Sequence, residues 1–266
     1  MGSTNNRGRT EVSARKLRFD PGFVTALRNA RHVCVLTGAG ISAESGVPTF
    51  RDAQQGLWAR YDPHQLATPE AFEENPQLLW RWYRWRRELV AAAEPNPGHL
   101  ALARLAELVP RLTLVTQNVD GLHQRAGSRG VIEFHGNLFD DRCHAEGCII
   151  MHDQQVEVPV CPNCGANLRP GVVWFGEAIP ETALNESFAA AADCDIFLSV
   201  GTSSLVYPAA GLADLARENG ATVAEINPEP TLQAQSYDFA IAGNAGVALP
   251  KLVESMALQG LPHAGE

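Results

Sequence analysis

Four of the six cysteines fall within one short stretch of the chain, and their spacing is that of metal ligands. Cys143 and Cys148 form one close pair, and Cys161 and Cys164 form a second pair after twelve intervening residues. Two such pairs let four thiolates converge on one tetrahedral zinc ion and leave no open position for chemistry. A redox-active pair or plain reduced thiols are the alternatives, but a redox pair needs no second pair nearby. We therefore expect one structural Zn²⁺.

The histidines near these ligands and the two remaining cysteines are not expected to bind metal. Four thiolates would close the site, so we expect His144 and His152 to face solvent. Cys34 and Cys194 stand beside strand-like apolar runs, where a lone cysteine usually behaves as a small buried hydrophobic residue.

A glycine-rich loop follows the first strand-like run and could hold a phosphate group. Residues 38–43 read GAGISA and fit the G-x-G-x-x-G/A fingerprint, in which glycines let the backbone approach a pyrophosphate at a helix start. Such turns also occur in α/β proteins without nucleotides, so the motif alone is weak. A dehydrogenase would carry an acidic residue after a second strand, about 20 positions on. Here Phe50, Arg51 and Asp52 follow a loop instead, which suggests a site that acts on the cofactor.

The apolar runs around these motifs predict alternating strands and helices. We predict strands over residues 32–36, 112–116, 131–134, 196–200 and 222–226. We predict helices over residues 20–31, from 75 through 86, and over 97–109, 181–192 and 208–219. This alternation indicates a doubly wound, Rossmann-like α/β fold with a parallel sheet, in which ligands bind at the carboxyl ends of the strands.

The cysteine segment interrupts this alternation and predicts a second, smaller domain. We assign residues 19–52, 97–138 and 171–260 to a Rossmann-like dinucleotide-binding domain. We assign 53–96 and 139–170 to an inserted helical and zinc-binding domain, and 1–18 to a disordered tail.

Composition excludes several other classes of protein. The formal net charge of −9 opposes stable binding to nucleic acid or anionic membranes. Because residues 1–18 are polar and basic, we do not expect them to act as a secretory signal, and we expect no membrane span and a cytoplasmic location. The oligomeric state stays open, with a monomer as one possibility.

Taken in order, the motifs resemble the sirtuin family of NAD-dependent protein-lysine deacylases. The resemblance covers about residues 20–255 and rests on the four clustered cysteines and on segments 38–42, 49–52, 116–120, 135–136, 173–177, 201–203 and 226–227. It implies a reaction in which the acyl oxygen of a modified lysine attacks the ribose carbon bearing nicotinamide. The products would be nicotinamide and O-acyl-ADP-ribose, so NAD would be a co-substrate.

The resemblance also implies roles for individual residues. His135 would be the general base, although a structural histidine before a glycine turn is the alternative; an imidazole suits this task near neutral pH. Gln117 and Asn118 would contact the nicotinamide and its ribose, and Asp120 would orient its neighbours, although turn and cap roles suit such residues too. Phe50 would cover the ribose and exclude water. The residues assigned to NAD are Gly38, Ala39, Gly40, Ser42, Phe50, Arg51, Asp52, Gln117, Asn118, Asp120, Gly201, Thr202, Ser203, Asn227 and Ala245.

The protein substrate would bind beside this site. The resemblance implies that a peptide pairs by backbone with the stretch Val173, Trp174, Phe175, Gly176 and Glu177.

One helix distinguishes the chain from a plain deacetylase. Tyr83 and Arg86 are three residues apart and so share a helix face. They resemble the pair that binds acidic acyl groups in one sirtuin subgroup, and Ala67 resembles the small residue that widens its pocket. A guanidinium and a phenol can donate charge-assisted hydrogen bonds to a succinyl or malonyl carboxylate. An amphipathic surface helix, or a strip that stacks on nucleic acid, is the alternative.

Three other functions remain as competing hypotheses. A plain NAD-dependent deacetylase would lack the acidic-acyl preference. A nicotinamide dehydrogenase does not release nicotinamide, so His135 would have no role in its reaction. A zinc ribbon that binds nucleic acid or a partner protein would leave the motifs at 117–120 and 135 unexplained.

Overall fold

The computed structural model describes residues 17–47 and 66–258. Their main sheet consists of β1 (Val33–Thr37), β2 (Leu112–Thr116), β3 (Ile132–Glu133), β6 (Ile196–Val200), β7 (Thr222–Asn227) and β8 (Phe239–Ala242). These six strands are parallel and lie in the order β3-β2-β1-β6-β7-β8. A second sheet pairs β4 (Gly136–Cys143) with β5 (Leu168–Val172) in antiparallel fashion.

Helices pack around both sheets. The helices are α1 (Pro21–Asn29), α2 (Ala39–Ser42), α3 (Pro69–Glu74), α4 (Pro76–Ala92), α5 (Pro97–Leu108), α6 (Leu122–Arg125), α7 (Glu181–Asp193), α8 (Gly211–Glu218) and α9 (Ala245–Leu258). Short 3₁₀ turns lie at Ala43–Ser45 and Gln233–Ser236.

Strand β1 shows why the sheet is buried on both sides. All five of its residues are buried. Val33 and Val35 pack with α1, α5 and α9, whereas Cys34 and Leu36 pack with α7 and α8 on the opposite face. The alternation of side chains along a strand therefore supplies two cores from one apolar run. Cys34 and Cys194 are both buried, as the sequence predicts.

A third core joins the second sheet to α3 and α4. Its largest members are Trp80, Trp82, Tyr83 and Trp174, each at most 2% exposed. The Trp80 indole N–H donates to the Leu168 carbonyl at 2.9 Å, which attaches α4 to β5.

Most predicted elements are confirmed, with shifted ends. Asp20, Asn75 and Asn96 each cap a helix that begins at proline, because their side-chain oxygens accept from backbone N–H groups of the first turn. β3 is shorter than predicted, and the helix predicted from residue 208 begins at Gly211. β8 and α9 were not predicted.

The fold class, a Rossmann-like parallel sheet with a smaller zinc-binding part, is confirmed. The division into two domains stays a prediction, and most of the predicted tail, residues 1–16, lies outside the described residues. Among the described residues, no helix is long and apolar enough to cross a bilayer.

Gly136 begins β4 with φ +77°, and a Cβ there would overlap the carbonyl oxygen of Gly171. We expect Gly136→Ala to lower stability by about 3 kcal/mol, because left-handed strain and a backbone clash act together. Gly220→Ala is the matched control, since Gly220 has φ +89° but open space around it, and strain alone should cost about 1 kcal/mol. Thermal unfolding would compare them, and equal losses would contradict this view of Gly136.

Candidate active site

The loops after β1 and β6 touch at the carboxyl edge of the sheet. Gly38 N–H donates to the Val200 carbonyl at 3.0 Å, and Gly40 N–H donates to the Gly201 carbonyl at 2.8 Å. A Cβ on Gly40 would lie only 2.7 Å from that Gly201 oxygen. The glycines are therefore required for this contact, and they leave a cradle of backbone at the place where a doubly wound sheet binds a dinucleotide.

The loop after β2 completes this edge. The Gln117 side chain donates to Thr202 Oγ1 at 3.0 Å, and Asn118 Nδ2 donates to the Gly38 carbonyl at 3.1 Å. Asn227, at the end of β7, donates to the Thr202 carbonyl at 2.8 Å. Residues predicted from four separate motifs thus meet in one hydrogen-bonded group.

Asp120 is buried and acts as an acceptor. Its carboxylate accepts from Ser42 Oγ at 2.7 Å and from the Leu122 backbone N–H at 3.0 Å. Asn118 also donates to Ser42, at 3.1 Å. This arrangement fits the orienting role expected for Asp120.

His135 has one ring nitrogen engaged by the backbone. Its Nδ1 lies 3.0 Å from the Gln117 carbonyl oxygen, which can only accept, so Nδ1 carries the proton. Nε2 is then the atom that can accept a proton. Burial lowers the pKa of His135 below its usual value, and the hydrogen bond to the Gln117 carbonyl opposes this shift. The lowered pKa favours the neutral imidazole near neutral pH.

Two further histidines lie beneath this edge, and the sequence analysis missed them. His99 Nδ1 accepts from the Asn96 backbone N–H, and its Nε2 lies 3.4 Å from Ser42 Oγ. His123 Nε2 lies 2.9 Å from Thr37 Oγ1. The two rings are 4.9 Å apart. His99 lies in the first turn of a predicted helix, which is a weak signal, and nothing in the sequence marks His123.

The predicted acyl-pocket residues lie together on the side of the smaller sheet. Tyr83 is 1% exposed, and the Arg86 guanidinium lies 5.8 Å from its ring and 5.0 Å from that of Trp82. Burial raises the pKa of Tyr83 and lowers the pKa of Arg86. Ala67 is buried in the same apolar cluster.

Most backbone N–H groups of the stretch 173–177 already donate to acceptors within the protein. Val173 N–H donates to the His135 carbonyl and Phe175 N–H to the Ala67 carbonyl, both at 2.9 Å. Trp174 N–H donates to the Glu177 carboxylate at 2.8 Å, and Glu177 N–H donates to the Trp174 carbonyl at 3.1 Å. A peptide added here would pair through carbonyl groups or through the N–H of Gly176.

The other residues predicted to bind the cofactor differ in exposure or lie outside the described residues. Ser203 is exposed after β6, and Ala245 is a buried residue at the start of α9. Phe50, Arg51 and Asp52 lie outside the described residues, so their roles stay predictions.

The clustered cysteines converge as predicted for a metal site. Ligand atoms of Cys143, Cys161, Cys164 and Glu146 lie within 4.8 Å of one another. The fourth cysteine, Cys148, lies beside this group, with its sulfur 3.8 Å from the Glu146 carboxylate. In each cysteine pair, a glycine with positive φ lies four residues after the first cysteine. Gly147, with φ +72°, follows Cys143, and Gly165, with φ +75°, follows Cys161. The sulfur-rich donor set fits one structural zinc ion.

The nearby histidines are not members of this group. His144 packs on Phe72, with ring centroids 5.0 Å apart. His152 Nε2 lies 2.7 Å from Asp141, and its side chain is 11% exposed. The expectation that His152 faces solvent is therefore wrong, because the Asp141 carboxylate satisfies it inside the fold.

Comparison with known proteins agrees with this geometry. Residues 38–208 match the Sir2 family. A protein of Pseudomonas aeruginosa named NAD-dependent protein deacylase 1 is 51% identical over 241 residues, covering 86% of this chain and 96% of its own. A Ralstonia nicotianae protein named NAD-dependent protein deacylase is 54% identical, covering 84% and 92%.

Among solved structures, a Sir2 homologue in complex with NAD has a TM-score of 0.86 and 40% identity, covering 91% of this chain and 96% of that one. The fold and the site thus define an NAD-using enzyme of the doubly wound class. The chain belongs to the Sir2 family, and the predicted family, class of enzyme and cofactor are confirmed.

The buried histidines predict a pH dependence of stability. Burial lowers the pKa of His99 to about 4 and that of His123 to about 3. The unfolded chain therefore takes up protons below about pH 6.5 that the folded chain does not, and stability falls as the pH falls from there toward 4. In His123→Asn the free energy of unfolding, measured by urea titration at several pH values, should depend less steeply on pH. The decrease in slope should correspond to about one proton fewer taken up on unfolding. An unaltered slope would contradict this prediction.

The cysteine cluster predicts loss of structure on metal removal. A chelator should lower the melting temperature and the activity together, because the free energy of binding a structural metal contributes to the free energy of folding and is lost with the ion. Calorimetry and a deacylation assay would measure both, with zinc added back as the control. Full activity in a metal-free protein would contradict a supporting role for the ion.

Proposed function

We propose that this Sir2-family protein is an NAD-dependent lysine deacylase that removes succinyl and malonyl groups, and acetyl groups less efficiently. Nicotinamide and O-acyl-ADP-ribose are the products. The observation that carries the acyl preference is the pairing on α4 of the buried Tyr83 with the half-buried Arg86, beside the small buried residue Ala67.

NAD binding is assigned to the edge where β1, β2 and β6 end. The touching glycine loops, which carry no side chains at Gly38, Gly40 and Gly201, let a pyrophosphate approach the backbone closely, and Gln117 and Asn118 stand beside them. Phe50, Arg51 and Asp52 are assigned to the cofactor through the sequence resemblance only.

His135 is the proposed general base. With Nδ1–H donated to Gln117, its Nε2 accepts the proton of a ribose hydroxyl, and the lowered pKa keeps this nitrogen unprotonated. Val173 follows β5 and donates to the His135 carbonyl, which links the base to the stretch proposed to hold the acyl-lysine. A solved complex of a Sir2 variant with a deacetylated p53 peptide and 3′-O-acetyl ADP ribose supports acylated protein lysines as the substrate class; it is 29% identical, with a TM-score of 0.75, and covers 90% of this chain and 97% of that one.

The acidic-acyl preference follows from charge and desolvation. A succinyl or malonyl carboxylate that enters an apolar pocket loses hydration and needs donors there. The Arg86 guanidinium and the Tyr83 hydroxyl are such donors, and an acetyl group could not use them. A plain deacetylase, the main alternative, would gain nothing from an arginine placed beside this pocket.

Arg86→Met tests the acyl preference. Turnover of one peptide carrying succinyl-, malonyl- or acetyl-lysine should show desuccinylation and demalonylation lowered about 100-fold or more, because the carboxylate loses its cationic partner. Weak deacetylation should persist. Arg81→Met is the matched control, since Arg81 lies on the same helix, 58% exposed and 3.7 Å from Glu157. An equal loss of all activities in Arg86→Met, or wild-type preference for acetyl-lysine, would overturn the assignment.

A further inference from the structure

Trp174 belongs to the proposed substrate stretch 173–177, and its side chain also contacts the proposed acyl pocket. Its indole is 2% exposed, and Nε1–H donates to the Tyr83 hydroxyl oxygen at 2.7 Å. Trp174 also packs on Phe72, with ring centroids 5.4 Å apart. The phenol of Tyr83 therefore has a fixed donor on one side.

This hydrogen bond determines what the Tyr83 hydroxyl can do. A phenol has one proton to donate, and its oxygen accepts from its partners. Because the indole has no acceptor to offer, the Tyr83 proton must point away from Trp174. The hydroxyl is thus presented as a donor, which is the role that an acyl carboxylate requires.

A buried ion pair holds the indole in place. The Arg169 guanidinium lies 3.3 Å from the centre of the Trp174 ring, and one of its nitrogens donates to Glu177 at 2.8 Å. Glu177 in turn accepts the Trp174 backbone N–H at 2.8 Å. The Arg169 side chain is 1% exposed. The pair of Arg169 and Glu177 therefore clamps both the ring and the backbone of Trp174.

We infer that Trp174 is a positioning residue that contributes to acyl specificity. Its indole N–H orients the Tyr83 hydroxyl toward the carboxylate of an acidic acyl group. The inference rests on the proposed acidic-acyl function. It assigns the indole N–H a task separate from that of the Trp174 backbone, which belongs to the peptide-binding stretch.

The test compares Trp174→Phe, Tyr83→Phe and the double variant, with kcat and KM measured for succinyl- and acetyl-lysine forms of one peptide. Loss of the indole N–H should raise KM for the succinyl peptide about three- to tenfold more than KM for the acetyl peptide. In the Tyr83→Phe background the same substitution should leave the ratio of the two KM values unaltered. Zinc content and melting temperature identify variants that have not folded.

Trp80→Phe is the matched control. It also removes a buried indole donor from this cluster, but one bonded to the Leu168 carbonyl instead of Tyr83, so it should not move the succinyl-to-acetyl ratio. If Trp174→Phe does not fold, the isosteric 3-benzothienylalanine at this position removes the N–H and keeps the ring.

The outcomes separate this inference from the proposed function. Suppose that the wild type prefers succinyl-lysine. The inference alone is then overturned if Trp174→Phe shifts both KM values equally. It is also overturned if Trp174→Phe shifts the ratio of the two KM values as much in the Tyr83→Phe background as in the wild type. If the wild type has no preference for succinyl-lysine, the proposed function fails and the inference fails with it.

Discussion

The contact between the loops after β1 and β6 is the constraint on which the rest of the structure depends. β1 lies between β2 and β6 in parallel register, so that Thr37 stands opposite both Thr116 and Val200. Three chain segments therefore leave the sheet at the same level. Gly40 and Gly201 bring two of them into backbone contact, and Asn118 of the third donates to Gly38. Any larger residue at these glycines would separate the loops and the polar side chains that they hold.

The smaller sheet is joined to this edge through the proposed base. β4 begins at Gly136, immediately after His135, and its partner β5 continues into the stretch 173–177. Val173 returns to the His135 carbonyl, and Phe175 donates to Ala67. The cysteine cluster at the far end of β4 braces the same pair of strands. A zinc ion bound there can thus affect activity without taking part in the reaction, by holding the strands that align the proposed base, peptide stretch and acyl pocket.

The sequence predicted local features well and side-chain networks poorly. Helix starts such as Asp20-Pro21, the strand 112–116 and the cysteine pairs depend on neighbouring residues, so their patterns are visible in the chain. The stacked pair of His99 and His123 depends on tertiary packing, which no local pattern encodes. The same holds for the Trp174 bond to Tyr83, which joins residues 91 positions apart. β8 is a four-residue edge strand with no buried residue, and Pro250 lies inside α9, so neither element gives a clear local pattern. Most of the family's motifs nevertheless meet at one edge, because strand ends in a parallel sheet share it.

The most direct test of the account is a crystal structure with a succinyl-lysine peptide and a non-hydrolysable NAD analogue. The account predicts that the analogue lies along the Gly38 and Gly201 loops with its nicotinamide ribose at His135. It predicts the succinyl carboxylate within hydrogen-bonding distance of both the Tyr83 hydroxyl and the Arg86 guanidinium. A carboxylate directed into solvent, with no contact to either side chain, would contradict it.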